Sequence, residues 1–124
     1  MSDINQIAND LVQYCRNNEE AKCLDTLYAD NAVSVEAFPM PGQDSPETHG
    51  LDGIRGKHDW FFSNNEVHSQ DVEGPFMHGE NRFGVIFSMD VTDKNSGQRG
   101  QMKELGVYTV DNDKIVREEF FYTM

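Results

Sequence analysis

The sequence predicts an α+β fold in which a curved antiparallel sheet wraps around a layer of N-terminal helices. In the first 28 positions, apolar residues recur every three or four residues, as on an amphipathic helix. From residue 66 onward they alternate with a period of two, as in strands, and short turns join the last alternating segments. We expect a single domain over residues 1–124, because no linker, repeat or low-complexity tract interrupts this pattern.

Two helices are predicted before the first strand. Ser2 or Asp3 is suited to cap the start of the first helix. Its apolar face consists of Ile4, Ile7, Ala8, Leu11, Val12 and Cys15. The polar segment 16–20, RNNEE, ends this helix. The apolar stripe of the second, shorter helix consists of Ala21, Leu24, Leu27 and Tyr28.

A first strand, a long loop and a third helix are predicted next. The strand covers residues 33–38, and residues 39–50 are predicted to form a loop because the segment contains three prolines and two glycines. Residues 51–62, LDGIRGKHDWFF, are predicted to form a helix that two glycines weaken and that ends in aromatic side chains.

Four long strands are predicted over residues 67–78, 82–92, 99–110 and 114–122. The last three should form an antiparallel meander. Apolar residues on one face, with some on the other, indicate a sheet that is covered on both sides. Helices would cover the inner face, and a second subunit would cover the outer face, which predicts a homodimer.

Charge and composition exclude several classes of partner. The chain has 10 Lys and Arg against 22 Asp and Glu, for a net charge of −12, so nucleic acid and anionic membranes are not expected partners. No apolar run approaches the ~20 residues of a membrane span, and the acidic start is unlike a signal peptide. We therefore expect a cytoplasmic protein in which Cys15 and Cys23 are reduced and buried.

Sequence signatures of cofactor and metal sites are absent. The chain contains neither a P-loop nor GxSxG, and GLDGIRG has the wrong spacing for a dinucleotide-binding turn. His49, His68 and His78 lack the spacing of metal ligands. We expect no cofactor and no metal site.

The chain resembles the SnoaL-like branch of the nuclear transport factor 2 superfamily, which includes ketosteroid isomerase. The resemblance covers essentially the whole chain and rests on the order and spacing of LYADNAVSVE, HGLDGIRGKHDWF, GENRFGVIFSMDVTDKNSGQ and KELGVYTVDNDKIVREEFFY. It implies a cone-shaped, cystatin-like α+β barrel around a small-molecule pocket. This fold carries isomerases, dehydratases, cyclases and non-enzymatic domains, so it implies no single reaction.

The resemblance also implies a site. The isomerase's proton-moving aspartate falls on Glu36, whereas its two oxyanion donors fall on Val12 and near Leu105 or Gly106. None of these three residues has a side chain that donates a hydrogen bond, which argues against steroid-type enolisation. The implied catalytic residues are Glu36, assisted by His58 or Glu104. The implied pocket lining comprises Val12, Val85, Phe87, Met89, Tyr108, Glu118, Phe120 and Tyr122.

An apolar pocket would raise the pKa of Glu36 and make it a general base near neutrality. The alternative is a solvated carboxylate at the end of a strand. Glu104 and Glu118 would raise the pKa of Glu36 further by repulsion between like charges. Alternatively, these two carboxylates would pair across strands with Arg99, Lys103 or Arg117.

Two functions remain open from the sequence. One is a cofactor-free isomerase, dehydratase or cyclase that acts on a small, largely apolar carbonyl compound, and the other is a ligand-binding or dimeric accessory domain without chemistry.

Overall fold

A computed structural model of the protein describes residues 3–39 and 42–122. It contains three helices in these ranges, and all three were predicted. The elements in chain order are α1 (Ile4–Arg16), α2 (Glu20–Leu27), β1 (Tyr28–Val35), β2 (Glu47–His49), α3 (Leu51–Asn64), β3 (Asn65–His78), β4 (Arg82–Asp93), β5 (Arg99–Asp111) and β6 (Lys114–Phe121). The predicted α+β fold is confirmed.

The strands form one curved, unclosed sheet in the order β2-β1-β6-β5-β4-β3. β3 to β6 make antiparallel pairs, as predicted. β1 instead runs parallel to β6, so the sheet is mixed and the expectation of a purely antiparallel sheet is wrong. Short turns determine the direction of hairpin-linked strands only, and no turn links β1 to β6.

Two predictions for the region before α3 need correction. The segment 39–50 is not all loop, because Glu47–His49 forms β2 and pairs with β1. Residues 40 and 41 lie outside the described residues. The first strand was predicted over residues 33–38, but β1 begins at Tyr28, where the backbone becomes extended and pairs with Ile115 of β6.

The core lies between the helices and the concave face of the sheet. The Asp3 side chain caps α1 by accepting a hydrogen bond from the Gln6 backbone N–H at 2.8 Å, while Ser2 lies outside the described residues. At the other end of α1, the Arg16 Nη2 donates to the carbonyl oxygen of Val72 in β3 at 2.9 Å. These contacts hold the apolar face of α1 against the sheet, where Val12 and Val85 are fully buried.

Candidate functional site

A cavity of about 450 Å³ lies between the helices and the concave sheet face. This volume is within the range of small-molecule sites. Phe87, Met89 and Phe120 form part of its apolar wall. Phe38, Trp60 and Phe62 also line it and are exposed to solvent, so they mark its opening.

Most of the predicted site residues meet at this cavity. The lining includes Glu36, His58 and Glu104, which were predicted to be catalytic, and Phe87, Met89, Tyr108, Glu118, Phe120 and Tyr122, which were predicted to line a pocket. Val12 and Val85 do not line the cavity, so their assignment to the pocket needs correction. Both are packed in the core. Val12 lies on the face of α1 that contacts the sheet, and Val85 is a fully buried residue of β4.

Glu36 is held in the cavity wall from two sides. Its Oε2 lies 2.7 Å from the Nζ of Lys57 on α3, and the side chains of Glu36 and Lys57 are only 18% and 12% exposed. The Tyr122 hydroxyl donates to Glu36 Oε1 at 3.0 Å. Burial, together with the charge of Glu36, raises the pKa of Tyr122, so this hydroxyl keeps its proton. Glu36 is therefore neither a solvated surface carboxylate nor an isolated charge in an apolar pocket.

Lys57 connects Glu36 to a second buried carboxylate, Glu118. The Lys57 Nζ also donates to Ser34 Oγ at 2.7 Å, and Ser34 Oγ donates to Glu118 Oε2 at 2.6 Å. The Tyr28 hydroxyl donates to Glu118 Oε1. Glu118 is 2% exposed, and both of its carboxylate oxygens accept hydrogen bonds. A continuous chain of hydrogen bonds thus joins Tyr28, Glu118, Ser34, Lys57, Glu36 and Tyr122.

Glu104 projects from β5 into the same cavity and behaves differently. Burial raises its pKa from 4.5 to about 7, repulsion by Glu36 and Glu118 adds to the rise, and Lys57 opposes it. Its carboxyl group makes no hydrogen bond to any other residue in the ranges 3–39 and 42–122. Near neutral pH, Glu104 therefore exists in both its protonated and its ionised form.

The cross-strand pairs that offered an alternative role for Glu104 and Glu118 do not form. Arg99 pairs with Asp90 at 2.8 Å, and Arg117 pairs with Glu119 at 3.2 Å. Lys103 forms no ion pair with Glu104 or Glu118 within residues 3–39 and 42–122. Glu104 and Glu118 face the cavity instead.

The remaining polar lining comes from α2 and α3. Burial raises the pKa of Glu20, and the nearby His58 opposes this rise. Cys15 and Cys23 are free, buried and part of the lining, as predicted for reduced thiols. Burial, with Glu20 and Glu118 nearby, raises the pKa of Cys15 to about 12. These thiols therefore lack the thiolate character of a nucleophile.

Comparisons with known proteins agree with this architecture. The sequence profile of the SnoaL-like domain matches residues 3–122. The chain belongs to the SnoaL-like family. No curated protein sequence matches it significantly. A protein of known structure from Mesorhizobium loti is 38% identical, with a TM-score of 0.90 over 98% of this chain and 100% of that one. It is described as a proposed SnoaL-like polyketide cyclase, with carbohydrate phosphatase added in brackets.

More distant structures share the fold of this SnoaL-like protein. The Δ5-3-ketosteroid isomerase of Mycobacterium sp. is 16% identical, with a TM-score of 0.72 over 100% of this chain and 95% of that one. A computationally designed 17-OHP binder is 14% identical, with a TM-score of 0.71 over 95% of this chain and 92% of that one. At these identities the similarity establishes the fold alone.

Sequence reasoning missed Lys57, Ser34, Tyr28 and Glu20 as site residues of this SnoaL-like protein. A signal for Lys57 exists, because Ile54, Lys57 and Phe61 share the i, i+3, i+7 spacing of one helix face. Ser34 and Glu36 are two positions apart, so alternation places both on the face that Ala32 buries. A lysine or serine within an apolar stripe was the available clue.

Residues 3–39 and 42–122 contain no group of three His, Cys, Asp or Glu side chains arranged to hold a metal ion. Within the same ranges, no helix has both the length and the apolar character needed to cross a membrane.

Proposed function

We propose that this SnoaL-like protein is an acid–base enzyme that acts on a small, largely apolar carbonyl compound and needs no cofactor. The reaction class is an isomerisation, a dehydration or a cyclisation. The observation that carries this proposal is the position of Glu36, which Lys57 and Tyr122 fix in the wall of an apolar cavity that also contains Glu104.

In this mechanism the Glu36 carboxylate accepts a proton from the carbon next to the carbonyl group. Each carboxylate oxygen has two lone pairs, so the bonds from Lys57 and Tyr122 leave acceptor capacity for a substrate proton. The C–H electron pair becomes the enolate, and the negative charge moves to the carbonyl oxygen. Return of the proton to a different carbon gives an isomer, and attack of the enolate on a second carbonyl closes a ring.

Glu104 supplies the hydrogen bond that the developing oxyanion needs. Val12 is buried in the core, Leu105 is exposed, and Gly106 has no side chain, so none of the three supplies a side-chain donor to an oxyanion in the cavity. Glu104 has a pKa of about 7, so a substantial fraction is protonated at neutral pH and can donate a hydrogen bond. Glu36 would thus act as the base, while Glu104 acts as the acid.

The relatives support this reaction class without specifying the substrate. The 38% identical protein is described as a proposed polyketide cyclase, and a more distant one is a ketosteroid isomerase. The words polyketide and ketosteroid in these descriptions both name carbonyl compounds. The shared fold extends this chemistry to the present protein as a proposal.

A second candidate function is ligand binding without chemistry. It is favoured by the hydrogen bonds that both oxygens of Glu36 already accept, since these weaken a base. A designed protein of the same fold is described as a binder of 17-OHP. The cavity of about 450 Å³ would serve either function.

Hydrogen–deuterium exchange of 2-tetralone in D₂O, followed by proton NMR, tests the proposal. The protein should accelerate exchange at the carbon next to the carbonyl, and Glu36→Gln should reduce that acceleration by ~10²–10⁴. Glu73→Gln, an exposed carboxylate on β3, is the matched control and should exchange like the unmodified protein. Binding of 2-tetralone without accelerated exchange would contradict the proposal and favour the second candidate.

We also propose a homodimer that forms through the outer face of the sheet. Phe76, Leu105 and Phe121 are exposed on that face, where Leu105 and Phe121 lie opposite each other on β5 and β6. An exposed apolar cluster of this kind favours a partner subunit. Sedimentation should give twice the mass of the chain, and Leu105→Lys should shift the equilibrium toward monomer. A monomeric unmodified protein would contradict this proposal.

We propose the cytoplasm as the location. Two free, buried cysteines suit a reducing compartment. Fractionation of cells that express the protein should recover it with cytoplasmic markers, and recovery with a secreted or membrane fraction would argue against it.

A further inference from the structure

We infer that the ligand of this cavity carries a protonated amine on its apolar body, and that Glu104 is the residue that recognises the amine. The inference deepens the proposed function and rests on it only for the carbonyl group of the ligand. An ionised Glu104 cannot donate to the oxyanion, so in the amine complex the ligand ammonium that Glu104 holds supplies that hydrogen bond. The requirement for a positive charge follows from the cavity itself. A neutral ligand or an organic acid is the competing expectation.

The charge balance of the cavity favours a cation. Four carboxyl side chains line it, from Glu20, Glu36, Glu104 and Glu118, against the single lysine ammonium of Lys57. The wall is otherwise largely apolar, so these charges interact through a medium of lower dielectric constant than water. A ligand carboxylate would meet net repulsion, whereas an ammonium would be attracted.

Two of these four carboxyl groups, those of Glu20 and Glu104, accept no hydrogen bond from another residue in the described part of the chain. Glu36 accepts from Lys57 and Tyr122, and Glu118 accepts from Tyr28 and Ser34. Of the two that accept none, Glu20 has the imidazole of His58 nearby, which opposes the rise that burial causes in its pKa. Glu104 has no hydrogen-bond donor within residues 3–39 and 42–122, so its carboxyl group is available to a ligand ammonium.

The aromatic lining also suits a cationic ligand with an apolar body. Phe38, Trp60, Phe61 and Phe62 line the cavity, three of them at the solvent-exposed opening. Aromatic faces attract ammonium groups. One such contact already exists, since the Lys57 Nζ lies 5.7 Å from the centre of the Phe120 ring.

Amine binding should depend on pH through Glu104. The charged and titratable groups around it are Glu36, Glu118, Tyr108 and Tyr122 from the sheet and the segment after β1, and Lys57 from α3. Burial and the two carboxylates raise the pKa of Glu104 to about 7. An alkyl amine stays protonated through this range, so its affinity should rise from pH 6 to pH 8 as Glu104 ionises.

Three probes with the same naphthalene ring test the inference by isothermal titration calorimetry at pH 8. They are 2-naphthylmethylamine, 2-naphthylmethanol and 2-naphthoic acid. The amine should bind at least tenfold more tightly than the alcohol, and the acid should bind more weakly than both. Glu104→Gln should abolish the advantage of the amine over the alcohol, while the control Glu73→Gln should retain it.

Equal binding of the acid and the amine would overturn the inference, as would an amine advantage that survives in Glu104→Gln. If that variant does not fold, the unmodified protein still decides the question, because amine affinity that does not rise between pH 6 and pH 8 contradicts a role for Glu104. These measurements require no catalysis. Amine selectivity without 2-tetralone exchange would refute only the proposed function, and exchange without amine selectivity would refute only this inference.

Discussion

The Nζ of Lys57 lies 2.7 Å from Glu36 Oε2 and 2.7 Å from Ser34 Oγ. One ammonium group on α3 therefore joins a carboxylate that follows β1 to a hydroxyl within β1. The pair is nearly enclosed, so removal of the cation would leave a poorly solvated negative charge. The position of Glu36 in the cavity depends on this contact between a helix and a strand.

Lys57→Met should destabilise the protein strongly. It removes the cation but keeps a side chain of similar length, so the main loss is the partner of Glu36. Breaking a buried pair costs ~3–5 kcal/mol, and because both groups retain some exposure we expect about 2–3 kcal/mol. Urea denaturation measures this loss.

The matched control is Lys22→Met, since Lys22 pairs with Glu19 on the surface, where 69% of the lysine side chain is exposed. Little change is expected there. The double variant Lys57→Met/Glu36→Gln should recover part of the stability that Lys57→Met loses. Equal stability of the two single lysine variants would show that the Lys57–Glu36 pair contributes nothing.

The fold was more predictable than the pairing of its strands. Apolar periodicity predicted α1, α2, α3 and the four long strands, because period 3.6 and period 2 are local properties of a sequence. β2 was missed because its three residues, between Pro46 and Gly50, are too few to show a period. The parallel contact of β1 with β6 joins distant residues, such as Ser34 and Glu118, which are 84 positions apart. Local sequence pattern contains no information about such a contact.

The candidate site was only partly predictable, because local sequence pattern does not determine tertiary contacts. The resemblance to the SnoaL-like family implied that Phe87, Glu104, Glu118 and Phe120 face inward, and all four line the cavity. The hydrogen-bond partners of Glu36 depend on how α3 lies across the sheet, and that arrangement is tertiary. Lys57 was therefore overlooked, although it changes Glu36 from an isolated carboxylate into one with a charged partner.

Tyr28→Phe should destabilise the protein by removing a donor to a buried carboxylate. The Tyr28 hydroxyl donates to Glu118 Oε1, and Glu118 is 2% exposed, so water cannot readily replace the lost bond. Loss of a hydrogen bond to a buried charged group costs ~1.5–3 kcal/mol. Thermal or urea denaturation measures it. Tyr14→Phe provides the control, because Tyr14 is only half-buried against the core, and the same loss in both variants would contradict a specific role for the Tyr28 hydroxyl.

Stability should fall as the pH rises from about 4.5 to about 7, in part through Glu104. Its pKa is raised to about 7 in the folded state, so the native protein binds more protons than the unfolded chain in this window. The favourable contribution of protonated Glu104 is complete below the unfolded pKa and is lost as the pH passes through about 7.

Glu104→Gln should flatten this pH dependence. At pH 8 the variant should be more stable than the unmodified protein by on the order of 2 kcal/mol, since the cavity leaves the carboxylate partly solvated. Urea denaturation at pH 5, 6, 7 and 8 provides the comparison. An unchanged slope in Glu104→Gln would mean that other groups cause the pH dependence.

Two glycines of α3 should respond to alanine in opposite directions. Alanine generally stabilises a helix relative to glycine by ~0.5–1 kcal/mol. At Gly56 an added Cβ meets nothing within 4 Å, so Gly56→Ala should show this gain. At Gly53 the Cβ would lie 2.8 Å from the Thr48 Cγ2 of β2, and the branched threonine side chain has little freedom to move. Gly53→Ala should push α3 away from β2 and destabilise the protein by about 1–2 kcal/mol.

Thr48→Ser removes the methyl group that obstructs the new side chain. In that background Gly53→Ala should regain most of the lost stability, which urea denaturation of the four combinations would measure. Because α3 carries Lys57, displacement of the helix should also disturb the contact with Glu36, and the carboxyl ¹³C shift of Glu36 should change in Gly53→Ala but not in Gly56→Ala. Equal stabilisation by both alanines would show that Thr48 yields without cost and that α3 does not pack closely on β2.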